Sequence, residues 1–578
     1  MSGDVPARRL LVSGAAGGRR GGRRRGGRWS GGSWSDELIA GARRAPAFTI
    51  TAVLALAYVI LAPPSTDLAA AAYRSDLFAR AGFTLWDNAW YGGHHLPAYS
   101  LLAPALGALI GPQLLTGLSM TTATGLFAAL IEGHFPARAS RLAAIWFALG
   151  ASIALLANRV PFDLGLAIGI GALVLAQRER RAAALVLAAL CALASPVAGA
   201  FLALAAVAWA FHHRAPSFPA ALAAAALAPI ALLVLAFPEG GNQPFVASAF
   251  YPALAGVLLI AALIPAEQGP LRTGAILYAV VLIGAYLVPT AVGGNADRLG
   301  ALVAGPLAAC VLAGGRRVGG RPRMLIVLAP FLLYWQANAP IADFASAAGD
   351  PAVGGSYYAP LLGELRTLGI GYSGRPARIE VVPSRDHWEA RWVAERIMIA
   401  RGWERQLDGY RNPLFYEASR PLTAARYRAW LSEEAISYVA LPDAPLDYSA
   451  ESEGRLLRGA GRARGQRGTR AGGVSYLREV WHSAHWRLFA YLDARPLAQA
   501  PALLTGLTSD TFTLEAPAAG TFVVRVHFTP YWALARGSGC VARAPGDWTQ
   551  VRARAGGSFR VVIDFSLTRV FEHGSRCN

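Results

Sequence analysis

Reactive side chains gather in a few short stretches of an otherwise apolar chain. The first stretch, residues 64–99, carries Asp67, Asp76 and Asp87, the aromatics Trp86, Trp90 and Tyr91, and the adjacent His94 and His95. The others are shorter: Asn158-Arg159 with Asp163 close behind, Glu239 to Gln243, and Asn295-Ala296-Asp297-Arg298. Each sits between apolar runs, at or near the ends of predicted spans. Ionisable groups at membrane depth are costly and tend to be functional. A carboxylate there suits taking a proton from a hydroxyl. Arginine suits a phosphate, which its planar fork can grip through two N–H groups. Each residue also has a plain structural use. Thr66 or Asp67 can cap a helix, Asn158-Arg159 and Asp297-Arg298 can close helix ends, and a histidine pair is more often structural. Trp and Tyr at this level suit either the aromatic belt of a membrane interface or the stacking of sugar rings.

The elements that must position these residues follow from composition. Of 578 residues, 54% are hydrophobic and 15% charged, against roughly 25% charged in soluble proteins. That excludes an ordinary soluble globular chain and leaves a polytopic membrane protein with something attached. The net charge is +19 and all 54 basic residues are arginine. The arginines cluster in the first 45 residues, in inter-helix turns and near 455–472. That is the distribution of topology control and lipid headgroup contact, and it excludes a nucleic-acid partner. Apolar runs near 46–63, 100–131, 141–157, 160–177, 182–196, 198–213, 218–237, 246–264, 272–290, 298–314 and 323–339 predict about eleven spans. The run at 46–63 reads as an uncleaved signal anchor. With the Arg-rich tail in the cytoplasm, every predicted inner turn carries arginine, among them Arg138, Arg178, Arg214, Arg272 and Arg316. The polar stretches then fall together on the opposite, extracytoplasmic face, and so does everything after residue 340.

The resulting division is a disordered cytoplasmic tail (1–45), a transmembrane domain (46–340), an extracytoplasmic α/β subdomain (341–498) and a β-sandwich (499–578). Residues 67–81 are amphipathic and predict a helix lying in the interface. In the α/β part, 378–383, 436–441 and 486–491 read as strands and 387–400 as a helix. The segment His387-Trp388-Glu389 is placed to close over the membrane site. Strands at 511–514, 521–528 and 559–565 predict the sandwich. There Tyr531, Trp532 and Trp548 read as core aromatics in preference to a carbohydrate platform. Cys191 and Cys310 read as core residues. Cys540 and Cys577 form a plausible disulfide in an oxidising compartment, and no metal-ligand spacing is present.

The first span, an acid at the outer surface, a short interfacial helix and the run Trp90-Tyr91-Gly92-Gly93-His94-His95-Leu96-Pro97-Ala98-Tyr99 together resemble the start of the GT-C fold glycosyltransferases. The whole chain resembles large uncharacterised actinobacterial-type membrane proteins. The GT-C resemblance implies transfer of a sugar from a polyprenyl-phosphate donor to a cell-envelope glycan or glycolipid outside the cytoplasm. It implies Asp67 as the catalytic base. Asp67 is followed by Leu68 rather than by the second acid of some members, so Asp76 and Asp87 stand as alternates. Arg159 and Arg298 are then expected at the departing phosphate, with Asp163, Asn295 and Asp297 beside them. His94, His95, Trp86, Trp90 and Tyr91 are expected toward the substrates. The sequence does not choose between metal-independent transfer and transfer assisted by a divalent cation. A lipid-linked glycan transporter or flippase, or a non-catalytic envelope scaffold with the same fold, are the alternatives.

Overall fold

The computed structural model describes residues 34–313, 322–417, 419–460, 474–571 and 576–577. The N-terminal tail up to residue 33, the turn at 314–321 and the Gly/Arg stretch 461–473 lie outside the described residues. All eleven apolar runs are helical. Helix α1 (Trp34–Leu61) starts before the apolar run, so residues 34–45 are helical where a disordered tail was expected. Residues from Arg44 onward form one compact unit.

The amphipathic segment is α2 (Thr66–Ala81). It is followed by a hairpin of two short strands, β1 (Trp86–Asp87) and β2 (His94–His95). The run at 100–131 becomes α3 (Ala103–Ile110) and α4 (Pro112–Ile131), broken at Gly111, which takes φ +87° ahead of a proline at the helix start. The bundle continues with α5 (Ala137–Ala154), α6 (Val160–Gln177), α7 (Arg181–Ala194), α8 (Pro196–Ala210), α9 (Ser217–Ala236), α10 (Ala247–Leu263), α11 (Gly269–Leu287), α12 (Asp297–Leu312) and α13 (Pro322–Ala347). Seven described helices are long and apolar enough to cross a membrane, and three more are shorter apolar helices. The protein is a multi-pass membrane protein. Ser195 divides α7 from α8 by capping the latter, its Oγ accepting from the Ala198 N–H at 3.3 Å. Small residues let these helices approach: a Cβ on Gly165 would lie 2.8 Å from that of Ala198.

The inter-helix turns fall into two sets, tied within each set. At one end Arg44 pairs with Glu132, Gln177 reaches the Leu130 carbonyl and His212 meets Thr273. At the other, Tyr58 bonds Asn158, the Leu101 N–H donates to Leu193 O, and Glu239 meets His95. This second end holds the polar stretches and carries the C-terminal half.

That half begins with α14 (Gly355–Thr367) and a five-stranded sheet. Its strands are β3 (Arg378–Val381), β4 (Met398–Ile399), β5 (Ile436–Pro442), β6 (Leu477–His482) and β7 (Trp486–Tyr491), in the order β4-β3-β5-β7-β6. β3 runs parallel to β4 and β5; the other pairs are antiparallel. The helix expected at 387–400 is only α15 (Glu389–Trp392). His387 takes φ +56° before it, and the chain then turns back to pair Ile399 with Ile379. Strands from Leu503 to Ile563 form one four-stranded and one three-stranded sheet. Phe512, Phe522, Trp532, Val551 and Phe559 of the two sheets share one core, the packing of a sandwich. Cys540 and Cys577 are joined by a disulfide, and Cys191 and Cys310 are buried and free.

Candidate active site

Helix α2 opens on Ser65, whose side chain makes no capping bond. The carboxylate of Asp67, in the first turn, faces Arg159 instead: Oδ2 lies 3.6 Å from Nε. The same guanidinium donates through Nη2 to Asp343 Oδ2 at 3.3 Å. One arginine therefore links an acid at the start of α2 to an acid near the end of α13. A cavity of about 340 Å³ opens at this pair. Asp67, Arg159, Asp163, Asn295, Asp297 and Arg298, all singled out from the sequence, line it together. Asp67, Asp163 and Asp297 each occupy the first turn of a helix, where the helix dipole favours an anion.

The charges in this cavity are unequally matched. Asp297 Oδ1 accepts from Trp335 Nε1 at 2.9 Å. Asp163 is 2% exposed and its Oδ2 has no hydrogen-bond partner among the described residues. Arg298 has neither an ion pair nor a hydrogen bond among them; its guanidinium lies 5.5 Å from the centre of the Phe162 ring. Phe162 also belongs to a second cavity, about 550 Å³, lined by the helices. Leu299, Val303 and Leu307 of α12 face it from the helix that carries Arg298, and Leu166, Ile170 and Phe201 face it from α6 and α8. An unpaired cation thus stands where a polar cavity meets an apolar one.

The remaining predicted residues are elsewhere. Asp76 pairs with Arg391 at 3.0 Å. Asp87 is fully buried, accepting from the Tyr73 hydroxyl at 2.9 Å and the Ala89 N–H at 3.1 Å. Burial raises its carboxyl to about 6, against those two bonds. Trp86, Trp90, Tyr91, His94 and His95 were expected toward substrate, but they are buried in the joint between the first loop and the C-terminal half. Trp90 Nε1 donates to Ala390 O at 3.0 Å, the Glu404 N–H donates to Tyr91 Oη at 2.8 Å, and His94 stacks on Trp90. Burial lowers His94 to about 3, so it is neutral. His95 is held by Glu239 and by Thr529 Oγ1 at 3.0 Å. Gly92 and Gly93 make the joint close: both have positive φ, and a Cβ would sit 2.5 Å from Arg378 Nη2 in one case and 2.3 Å from Trp86 in the other. Tyr531, Trp532 and Trp548 are core aromatics, each no more than 3% exposed.

The C-terminal half also reaches the polar cavity. Trp403 lines it, stacked against His387 at 4.2 Å. Asp386 Oδ1 accepts from Thr66 Oγ1 and from Ser346 Oγ, each at 2.7 Å, tying the start of α2 to the end of α13. Asp343 and Trp403 were missed by the sequence reading. Asp343 lies just past the apolar run that ends near 339. No local pattern marks Trp403. Among the described residues no group of three or more His, Cys, Asp or Glu is arranged to hold a metal ion.

No known protein family matches the sequence, and no curated protein matches it. Solved structures do. The likeness is to arabinofuranosyltransferase AftD from Mycobacteria. One AftD structure aligns over 92% of this chain and 57% of its own, with 15% identity and a TM-score of 0.42. A mutant form of the same enzyme aligns over 84% of this chain and 43% of its own, with 18% identity and a TM-score of 0.42. This chain therefore spans little more than half the length of those enzymes, or less. At this identity the likeness concerns the fold.

Proposed function

We propose that this chain is a membrane glycosyltransferase that moves a sugar from a polyprenyl-phosphate donor to a cell-envelope glycan or glycolipid. The observation that carries the reading is Arg298, unpaired among the described residues, at the meeting of the two cavities. A phosphate at Arg298 and Arg159 leaves the lipid chain on the Phe162 side, among Leu299, Val303 and Leu307. The sugar then projects into the polar cavity toward Asp67. The acceptor oxygen attacks the anomeric carbon, and its proton passes to the Asp67 carboxylate. The bond from the anomeric carbon to the phosphate oxygen breaks, and the electron pair leaves on a lipid phosphate stabilised by the two arginines. Displacement from the opposite face inverts the anomeric centre. Asp343 holds Arg159 in place while the phosphate departs.

The site is assigned to the extracytoplasmic side. The arginine-rich turns at the other end support this, as does the disulfide between Cys540 and Cys577. A flippase reading is disfavoured by the second cavity. Its middle offers Leu, Ile and Phe, with His134, Gln177 and Gln268 only at its far end, so a sugar head in transit would lose its hydrogen bonds. The test is transfer from labelled polyprenyl-phosphate sugar in proteoliposomes. Asp67→Asn should abolish transfer while expression, insertion and thermal stability stay as in the unaltered protein. Transfer at the normal rate by that variant would overturn the reading.

A further inference from the structure

Among the described residues Trp403 is the one aromatic of the C-terminal half that lines the polar cavity, which it shares with Asp67, Arg159 and Arg298. Its surroundings are asymmetric. His387 stacks on one face of the indole, with ring centroids 4.2 Å apart and planes 14° off parallel. The Arg405 guanidinium lies 5.4 Å from the indole centre, and its Nη2 is 3.4 Å from His387 Nε2. A guanidinium that close to His387 cannot also sit across the ring, so both side chains are on the same face. They are fixed there: Arg405 donates to both oxygens of Asp447 at 2.8 Å, and His387 lies 3.4 Å from Asp447 and 3.3 Å from Glu389. The indole is braced on the His387 side, half-buried against the core that holds Trp90 and Trp388, and lines the cavity with what it leaves exposed.

We propose that Trp403 is the platform on which the acceptor's terminal sugar ring lies, its C–H face against the indole. This rests on the reading of the cavity as a glycosyl-transfer site. A braced aromatic ring gives a large apolar contact at little loss of conformational freedom. The donor's phosphate and lipid occupy the Arg298 and Phe162 side, within the helices. Trp403 comes from the C-terminal half, the side from which a water-borne glycan arrives. Its ligand is therefore the acceptor saccharide, and its role is to hold the attacking hydroxyl within reach of Asp67.

The test uses the full chain in proteoliposomes with labelled polyprenyl-phosphate sugar and two soluble acceptors, the octyl glycosides of an arabinofuranosyl and a mannopyranosyl disaccharide. Trp403→Ala and Trp403→Leu should raise the KM for the acceptor that is used by about tenfold or more. Donor KM and the slow transfer of sugar to water should stay unchanged. Trp403→Phe keeps a ring and should stay within about threefold of the unaltered protein. Thermal unfolding of each variant identifies any that fails to fold, in which case Trp403→Phe and Trp403→Leu decide. An unchanged acceptor KM in Trp403→Leu, a change confined to donor KM, or equal damage from Phe and Leu overturns the assignment. Asp67→Asn in the same assay separates the two claims. If that variant is dead while acceptor KM is indifferent to Trp403, only the platform falls. If it transfers normally, the reading of the cavity falls with it.

Discussion

Replacing Arg298 with methionine separates a group held for a ligand from one held for the fold. Among the described residues it makes no ion pair or hydrogen bond; its guanidinium lies 5.5 Å from the Phe162 ring, a contact worth about 0.5–1 kcal/mol where water is near, and the Asp67 and Asp163 carboxylates act on it at longer range. Methionine keeps most of the apolar stem, so thermal stability should change little. With a donor bound, Arg298 gains a charge-assisted hydrogen bond to phosphate worth about 1.5–3 kcal/mol. The bare Coulomb attraction at 4 Å in a surface-like medium sets a ceiling of about 4 kcal/mol. At about 1.4 kcal/mol per tenfold, Arg298→Met should lower kcat/KM for the donor roughly 10- to 100-fold. Arg159→Met is the contrast. Arg159 lies 3.6 Å from Asp67 and 3.3 Å from Asp343, so its removal leaves two carboxylates facing each other and should cost stability as well as activity. The assay is initial transfer rate against donor concentration at saturating acceptor, with thermal unfolding of each variant in parallel. If Arg298→Met retains donor kcat/KM within twofold, or loses as much stability as Arg159→Met, the arginine is structural and the reasoning fails.

Other outcomes follow from the same geometry. Asp76→Asn breaks an ion pair with Arg391 far from the cavity and should keep transfer within a few-fold of normal, measured in the same liposomes. Asp87 is raised to about 6 from an ordinary carboxyl value of 3.8, so between those values the folded chain holds a proton that the unfolded chain has released. Stability should therefore fall as pH rises through that window, by up to about 3 kcal/mol. Asp87→Asn should raise the apparent melting temperature at pH 7.5 and leave it unmoved at pH 4; equal shifts at both values would contradict this. Removing the Cys540–Cys577 disulfide, which closes a separation of 37 residues, should cost about 3–4 kcal/mol, read as earlier unfolding of the sandwich with unchanged transfer below that temperature.

The helical framework was legible because bilayer physics is local. An apolar run of span length has one solution, and arginine-bearing turns sort the ends. That sorting alone brought Asp67, Arg159, Asp163, Asn295, Asp297 and Arg298 to the same end, and the structure places them in one cavity. Asp343 escaped because α13 runs on to Ala347, past the hydropathy that betrays it. Trp403 escaped because its position depends on how the C-terminal half sits on the bundle, which no window of neighbours encodes. Trp86, Trp90 and Tyr91 misled for a related reason. Interfacial, sugar-binding and internally buried aromatics share the same local pattern, and here the partners that bury Trp90 and Tyr91, namely Ala390, Ile399 and Glu404, are about 300 residues away, while Trp86 packs on Trp532 of the sandwich. The segment 387–400 has a helical pattern, but pairing Ile399 with Ile379 and Ala89 overrides it.

The bond from Asp386 to both Thr66 and Ser346 bears on how the protein comes into being. A nascent chain that has threaded its last helix through the bilayer owns the four acids and both arginines of the cavity, yet lacks the clasp that sets α2 against α13 and the indole that helps line the space between. The cavity is complete only once the later-synthesised half has folded and closed on the bundle. Separating the two halves at residue 348 and supplying them as independent polypeptides would ask whether that closure can happen after synthesis, or only in the order in which the ribosome delivers it.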